Sequence, residues 1–248
     1  MPQIATDVLK VLDAAIVEGS KVILTGQLDR KLYVETDKVL QAAGGKWNRS
    51  AKAHVFDGDA AEVLEPIILT GEYSRTKQDF GQFDTPSDLA ETVVDLADVR
   101  AGMSVLEPSA GIGRIAAAAR QAGAHVTCWE IDAKRAEKLA DYAPNIGDFL
   151  AAEPVKAFDR VVMNPPFAKQ DDIRHVLHAF KFLKAGGRLV AIMSASVMFR
   201  DNKPTTEFRE FVSANGGSIK RLPDGSFKSS GTGVNTCVVT IDAKGRAE

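Results

Sequence analysis

Residues 161–167 read Val161-Val162-Met163-Asn164-Pro165-Pro166-Phe167, a short apolar run that ends in a polar residue, two prolines and an aromatic ring. Each proline fixes its own φ and lacks an N–H donor, and Pro165 also disfavours a helical conformation at Asn164. The stretch therefore predicts a buried strand followed by a rigid, non-helical turn. Such a turn lies at the carboxyl end of a strand, where open α/β sheets bind their ligands.

The polar groups of this turn suit one chemical task. The Asn164 amide offers an acceptor and two donors, the Pro165 carbonyl adds an acceptor, and Phe167 offers a flat apolar face. Together they can hold an exocyclic amino group and stack on the ring that carries it. The set resembles the [Asn/Asp/Ser]-Pro-Pro-[Phe/Tyr/Trp] motif of the amino-methyltransferases that use S-adenosylmethionine, in the form typical of the adenine-N6 DNA branch. The resemblance implies catalytic roles for Asn164, Pro165, Pro166 and Phe167, with Phe167 against the target base and Asn164 also beside the cofactor; a plain strand-ending turn is the alternative.

A glycine-rich loop follows the apolar run Ser104–Glu107 and precedes an alanine-rich helix that is predicted over 114–121. Glycines at 111 and 113 allow unusual φ angles and let a ligand approach the backbone. The spacing Gly111-x-Gly113-x-x-Ala116 also fits a dinucleotide fingerprint, so an NAD-dependent oxidoreductase is an alternative.

Two features favour the methyltransferase interpretation of this loop. Glu107, four residues before Gly111, resembles the acid that methyltransferases place near the methionine amino group. The Asn-Pro-Pro-Phe turn has no role in hydride transfer. The resemblance implies that S-adenosylmethionine is the cofactor and that the first part of its site consists of Glu107, Pro108, Ser109, Ala110, Gly111 and Gly113.

Further positions match the same family in the order of its motifs. Phe83-Asp84-Thr85-Pro86 resembles the segment whose threonine holds the methionine carboxylate, and Thr85 or Ser87 is expected to cap the next helix. Glu130 lies 19 residues after Gly111, close to the spacing at which an acid meets ribose hydroxyls. Asp148 resembles the acid that accepts a hydrogen bond from the cofactor's adenine amino group. The remaining implied cofactor contacts are Phe83, Thr85, Pro86, Glu130, Ile131, Asp148 and Phe149.

Short apolar runs, typical of strands, alternate along the chain with segments of helical periodicity, and this order predicts an α/β fold. Strands are expected at 104–107, 125–129, 158–163 and 188–194, helices at 114–121, 133–142, 171–183 and 206–214, and a terminal hairpin from 218–222 and 234–241. The expected architecture is a doubly wound, mostly parallel, seven-stranded Rossmann-like methyltransferase sheet with a C-terminal antiparallel hairpin. A small N-terminal α+β module precedes it. The predicted domains are 1–72 and 73–248, with a polar linker at 70–78.

The N-terminal module and one late loop are candidate substrate contacts. The module is expected to contain a helix over 4–17, strands at 21–24 and 31–34, and a helix over 59–69. Its hairpin-like segment with Lys46, Trp47 and Arg49 can contact phosphates and a base; the alternative is that Trp47 and Phe56 form the module's small core. In the polar loop 223–233, Phe227 is predicted to stack on the target base beside Lys228.

The composition is ordinary for a soluble globular protein: 248 residues, 45% hydrophobic, 26% charged and a net charge of −2. Nucleic-acid binding must therefore come from local patches. No apolar run approaches the roughly 20 residues that span a bilayer, and the N-terminus lacks a signal peptide, so no membrane association is expected. The two cysteines lie in apolar runs and are expected to be buried thiols, which fits a reducing cytoplasm. The expected location is a bacterial cytoplasm, for a bacterial protein or for one of a phage or mobile element. The histidines and cysteines show no metal-ligand spacing, and nothing specifies the oligomeric state.

DNA is the expected partner. The alternatives are a methyltransferase that acts on adenine in RNA, a methyltransferase that acts on glutamine in a protein, and a DNA-binding domain without catalysis. Only 15 residues separate Asp148 from Asn164, and one helix and a hairpin follow the fifth strand. No separate target-recognition domain is therefore expected. Because sequence specificity needs side chains that reach base edges, we expect a relaxed or short sequence preference.

Overall fold

The structure, a computed structural model, describes residues 4–71, 83–230 and 233–245. The boundary at 72/73 and most of the predicted linker at 70–78 lie outside these residues. The division into 1–72 and 73–248 therefore stays a prediction.

The N-terminal part is a small α+β unit around a four-stranded antiparallel sheet. Its strand order is β1-β2-β4-β3. Val22, Leu40, Phe56 and Leu64 are among the buried side chains of its hydrophobic core. The elements in chain order are α1 (Thr6–Asp13), β1 (Ile16–Glu18), β2 (Lys21–Ile23), α2 (Arg30–Ala42), β3 (Lys46–Asn48), β4 (Ala53–Val55) and α3 (Ala60–Thr70).

Two predictions for this unit are wrong. The expected strand at 31–34 lies inside α2, because the Asp29 side chain accepts a hydrogen bond from the Leu32 backbone N–H and starts the helix there. The expected helix over 4–17 ends at Asp13, and the chain then forms β1.

The larger part is built on a seven-stranded sheet. Its strands are β5 (Ser104–Glu107), β6 (His125–Glu130), β7 (Asn145–Ile146), β8 (Phe158–Met163), β9 (Leu183–Ser194), β10 (Ser218–Arg221) and β11 (Thr236–Asp242). The strand order is β10-β11-β9-β8-β5-β6-β7. β11 is antiparallel to β9 and β10, and the remaining neighbours are parallel. The predicted fold class is confirmed.

Helices cover both faces of this sheet. They are α4 (Ser87–Leu96), α5 (Arg114–Gln121), α6 (Ala133–Ala136), α7 (Asp171–Phe180) and α8 (Lys203–Ala214). Successive strand residues alternate between the two cores: Val162 packs with residues of α4 and α5, whereas Val161 and Met163 pack with residues of α7 and α8. The central strands β5 and β8 are neighbours, and the chain leaves them in opposite directions across the sheet. Such a reversal of strand order opens a crevice at the carboxyl ends of the strands.

Several predicted boundaries in this part need correction, including the start of α8 at Lys203 instead of residue 206. The helix expected over 171–183 ends at Phe180, because Leu183 already belongs to β9, a 12-residue strand paired with β8 and β11. The helix expected over 133–142 is four residues of α6 followed by a 3-10 helix, Glu137–Tyr142. Neither Thr85 nor Ser87 caps α4, which begins after Pro86 without a side-chain capping bond.

Over the ranges that the structure describes, no helix combines the length and apolarity that crossing a membrane requires.

Candidate active site

A cavity of about 390 Å³ lies at the carboxyl ends of β5, β6 and β8. This volume falls within the range of about 300–1,000 Å³ that is usual for small-molecule sites. Most of the predicted cofactor and catalytic residues line it together: Phe83, Thr85, Glu107, Pro108, Ser109, Ala110, Gly111, Glu130, Ile131, Asp148, Phe149, Asn164, Pro165, Pro166 and Phe167. Pro86 and Gly113 do not line it; they immediately precede α4 and α5.

Asn164 has a fixed side-chain orientation and one unsatisfied oxygen. Its Nδ2 donates hydrogen bonds to the Phe83 carbonyl oxygen at 3.0 Å and to Thr85 Oγ1 at 3.1 Å. Because a carbonyl can only accept, these bonds determine which end of the amide is the nitrogen. The Oδ1 atom is buried and has no hydrogen-bond partner among the described residues. A donor that enters the cavity would relieve the cost of this unpaired acceptor.

A carboxylate fixes the backbone of the glycine loop. Gly111 has φ +58°, and its backbone N–H donates to Glu130 Oε2 at 2.6 Å. A Cβ at this position would lie 2.6 Å from Arg135 Nη2 and 3.6 Å from Asp84 Oδ1, and both of those residues line the cavity. Glycine favours this conformation, and a side chain here would displace the Arg135 guanidinium beside the cavity.

Glu130 is 5% exposed, and its other oxygen, Oε1, accepts a hydrogen bond from the Asp132 backbone N–H at 2.9 Å. Each carboxylate oxygen can accept two hydrogen bonds, so the group retains acceptor capacity for hydroxyl groups of a ligand. Ile131 follows it with 60% of its surface exposed. A polar clamp and an apolar face thus lie side by side.

Glu107 is the most deeply buried acid of the site. It is 1% exposed, and its Oε2 has no hydrogen-bond partner within the described ranges. Burial raises the pKa of this carboxyl well above its usual range; a backbone hydrogen bond from Ala116 opposes the rise, and the charge of Glu130 adds to it. A cationic ligand group beside Glu107 would stabilise the ionised form.

Sequence reasoning missed several charged residues of the cavity, and three of them connect its parts. Arg135, from α6, contacts Asp84 with an Nη2–Oδ1 distance of 2.5 Å, and Arg114 Nη1 donates to the Thr85 carbonyl at 3.0 Å. These contacts join the segment before α4 to the glycine loop and to α6. Asp84 lies inside the quoted Phe83–Pro86 motif and Arg114 directly follows the loop, so both could have been noticed; Arg135 had no such signal.

The first turn of α7 supplies a further part of the wall. Asp171, Arg174 and His175 line the cavity, and Arg174 Nη1 lies 2.7 Å from Asp171 Oδ1. His175 Nδ1 donates to the Asp171 carbonyl at 2.9 Å. Burial lowers the pKa of His175, which keeps this imidazole neutral at physiological pH.

The predicted substrate contacts outside the turn are not brought to the cavity. Phe227 is 0% exposed and belongs to the same hydrophobic core as Phe167, which contradicts the prediction that it stacks on a target base. Lys228 is exposed but does not line the cavity. Lys46, Trp47 and Arg49 are exposed on β3 and its turn, also away from the cavity lining.

The alternative for Trp47 is also wrong. Its side chain is 48% exposed, with its ring centroid 5.2 Å from that of His54, whereas Phe56 is 5% exposed and does belong to the module's core.

Behind the Asn-Pro-Pro-Phe turn lies a fully buried acid, Asp172. Its carboxylate accepts hydrogen bonds from the backbone N–H groups of Ile173 at 3.0 Å and Ser194 at 3.1 Å. Burial nevertheless raises the pKa of Asp172 to about 7. The group thus connects the start of α7 to the end of β9 in a form that is neutral under mildly acidic conditions.

This pKa predicts a pH dependence of stability. Because the folded state binds the Asp172 proton more tightly than the unfolded state, the stabilisation is fully present below about pH 4 and is lost as pH rises through about 7, with a limiting size of about 4 kcal/mol. Urea unfolding of the wild type and of Asp172→Asn at pH 5 and pH 8.5 measures it. The variant should gain on the wild type at the higher pH, since asparagine cannot ionise. An equal stability difference at both pH values would contradict the assignment.

Comparisons with known proteins agree with this architecture. No protein-family model matches the chain. The chain is 37% identical over 91 residues to a type II methyltransferase of Thermus thermophilus, a match that covers 35% of this chain. It spans only 21% of that relative's length.

The solved structures with a similar fold include the following two. A modification subunit of a putative type I restriction enzyme from Vibrio vulnificus YJ016 has a TM-score of 0.54 at 19% identity, over 68% of this chain and 46% of that one. The methyltransferase subunit of a type I restriction-modification system from Streptococcus thermophilus has a TM-score of 0.56 at 18% identity, over 77% of this chain and 51% of that one. At these identities the likeness shows a common fold alone.

Proposed function

We propose that this chain transfers a methyl group from S-adenosylmethionine to the exocyclic N6 of adenine in DNA. The observation that carries the proposal is the unpaired, buried Oδ1 of Asn164 in the wall of the same cavity as the glycine loop. An acceptor oriented by two fixed hydrogen bonds suits an amino group of a substrate. The type II methyltransferase of Thermus thermophilus named above, 37% identical over 91 residues, favours DNA as the polymer that carries this group.

The residues around the cavity fit the proposed cofactor. Unpaired Oε2 of Glu107 suits a methionine ammonium, and the free acceptor capacity of Glu130 suits ribose hydroxyls. Exposed Ile131 offers an apolar face for the adenine ring of the cofactor. Asp148 also lines the cavity and would accept a hydrogen bond from the amino group of that ring. When bound, S-adenosylmethionine supplies a methyl group on a sulfonium, which is already a good leaving group.

The turn would act on the target nitrogen. The N6 lone pair of adenine is delocalised into its ring, which makes the amine a poor nucleophile. If Asn164 Oδ1 and the Pro165 carbonyl each accept one N–H, the lone pair localises on nitrogen, and these acceptors stabilise the positive charge that develops there. Loss of one N–H proton to solvent would then give the neutral methylated amine. Phe167, although 2% exposed, lines the cavity and would border the face of a base that has left the duplex stack.

The polymer can be identified by offering several substrates in parallel. The protein is incubated with S-adenosylmethionine that carries a labelled methyl group and with double-stranded DNA, single-stranded DNA, RNA or a protein mixture. The proposal expects label in DNA. Label only in RNA or only in protein would redirect the same turn chemistry to another polymer. Binding of NAD without any methyl transfer would instead favour an oxidoreductase.

We also propose that the recognition sequence is short or relaxed. Between Asp148 and Asn164 the chain holds a 3-10 turn, a connecting segment and β8, which leaves no recognition unit inserted there. Specificity through several base-edge contacts needs such additional structure. Mapping of methylated positions on genomic DNA treated in vitro is expected to give a short or degenerate consensus. A strict site of about six base pairs would contradict this part of the proposal.

A further inference from the structure

We infer that Glu65, from α3 of the N-terminal unit, is a positioning residue for the turn that follows Phe167. The inference rests on the proposed function, since Phe167 and Ala168 line the cavity into which the target base would enter. It assigns to the N-terminal unit a part in the chemistry, in addition to any contact with nucleic acid.

The backbone after Phe167 adopts an unfavourable conformation. Lys169 has φ +54° and Gln170 has φ +62°, so two consecutive residues other than glycine lie in the left-handed region. Side chains with a Cβ seldom occupy this region, and strained backbone persists only where its surroundings hold it. A structural explanation for this turn must therefore identify what holds it.

Two side chains hold the strained residues. The Lys169 backbone N–H donates to Glu65 Oε1 at 3.2 Å, a contact between residues 104 positions apart in the chain. Thr205 Oγ1, from α8, donates to Gln170 Oε1 at 3.0 Å. The backbone contact from Glu65 is the one that acts directly on the left-handed segment.

Glu65 is itself held by a buried cation. Arg200, which follows β9 and is 2% exposed, donates from Nη2 to Glu65 Oε2 at 2.8 Å. The Nε of the same arginine lies 2.6 Å from Asp13 Oδ1 of α1. Two carboxylates of the N-terminal unit therefore share one arginine of the larger part. Buried charges are tolerated when they are paired in this way, and removal of one partner is costly.

The two carboxylates differ in one respect that makes the inference testable. Both pair with Arg200, so both can anchor the N-terminal unit to the larger part. Only Glu65 also reaches the Lys169 backbone. If Glu65 were solely an anchor, loss of either carboxylate would have the same consequences. If Glu65 positions the turn, only its loss should alter the turn and the step that depends on Asn164 and Phe167.

The experiment compares Glu65→Ala with the matched control Asp13→Ala in the full chain. Four quantities are measured for each variant: hydrogen exchange at the Lys169 amide, the affinity for S-adenosylmethionine, and kcat and KM for DNA. The temperature is kept well below the unfolding midpoints of both variants. In Glu65→Ala, exchange at Lys169 should accelerate and kcat should fall, each by at least about fivefold, the factor expected from one lost hydrogen bond. Asp13→Ala should leave both within about twofold, and both variants should keep wild-type cofactor affinity.

Several outcomes would overturn the inference. They are unchanged Lys169 exchange in Glu65→Ala, unchanged kcat despite faster exchange, or equal losses in the two variants. If either truncation fails to fold, Glu65→Met and Asp13→Leu, whose side chains are larger than alanine and also lack an acceptor oxygen, are compared with the same expected ordering. A wild type that methylates no nucleic acid would overturn the proposed function instead, and the exchange measurement alone would then decide whether Glu65 holds the turn.

Discussion

Replacement of Asn164 by alanine is expected to lower kcat by about 10²- to 10³-fold while S-adenosylmethionine still binds, because a preorganised group aimed at transition-state charge commonly contributes this much. The variant removes the unpaired Oδ1 acceptor and the two hydrogen bonds that orient it. Single-turnover kinetics with saturating cofactor and DNA, together with calorimetric titration of the cofactor, separate the loss of chemistry from a loss of binding.

Asn215→Ala provides the matched control for this substitution. Asn215 also donates one side-chain hydrogen bond to a backbone carbonyl, that of Phe211 at 2.9 Å, but it lies at the end of α8 and does not line the cavity. It should keep kcat within about twofold of the wild type. If Asn164→Ala keeps wild-type turnover, or loses it only in proportion to cofactor binding, the catalytic role of Asn164 is wrong.

Gly111→Ala is expected to weaken S-adenosylmethionine binding by about tenfold to hundredfold, since overpacking of a fitted site costs about 1–3 kcal/mol. The added Cβ would enter the space beside Arg135 Nη2 and Asp84 Oδ1, at the cavity wall. Its φ of +58° adds a conformational cost that acts on folding as well as on binding. Isothermal titration with the cofactor measures the change in Kd.

Gly102→Ala separates these two contributions. Gly102 has φ +80° in the turn before β5, and a Cβ there would meet no atom within 4 Å. Each variant should lose about 1 kcal/mol of stability from the left-handed conformation, and Gly111→Ala should lose more because its Cβ also meets Arg135. Only Gly111→Ala should lose cofactor affinity. An equal affinity loss in both variants, or none in either, would contradict the assignment of the space beside Gly111 to the cofactor.

The central part of the fold could be predicted because its local signals agree with its packing. Apolar runs at 104–107 and 158–163 are bounded by turn residues, and the alanine-rich helix at 114–121 has the same limits in the structure. The prediction of a strand at 31–34 was wrong because the apolar residues of this segment suit a strand or a helix equally. The segment is helical because Asp29 caps the helix and because Val39 and Leu40 are buried, and all three residues lie outside 31–34.

The site was predictable in composition and less so in geometry. Motif spacing predicted that Glu107, Glu130 and Asn164 lie together, and all three line the cavity because they stand at the ends of neighbouring strands. Whether an aromatic residue is buried depends on distant packing: Phe227, predicted to be accessible, is buried, and Trp47, for which burial was the alternative, is exposed. The Glu65–Arg200 pair joins residues 135 positions apart, and no local pattern indicates it.

Identification of the methylated nucleoside tests the central claim most directly. DNA treated with the wild-type protein and S-adenosylmethionine is digested to nucleosides and analysed by mass spectrometry against authentic standards, with Asn164→Ala as the control reaction. N6-methyldeoxyadenosine that forms with the wild type and is lost with the variant is the predicted result. Methylation confined to cytosine, or a wild type that leaves the DNA unmodified while it binds the cofactor, would contradict the account.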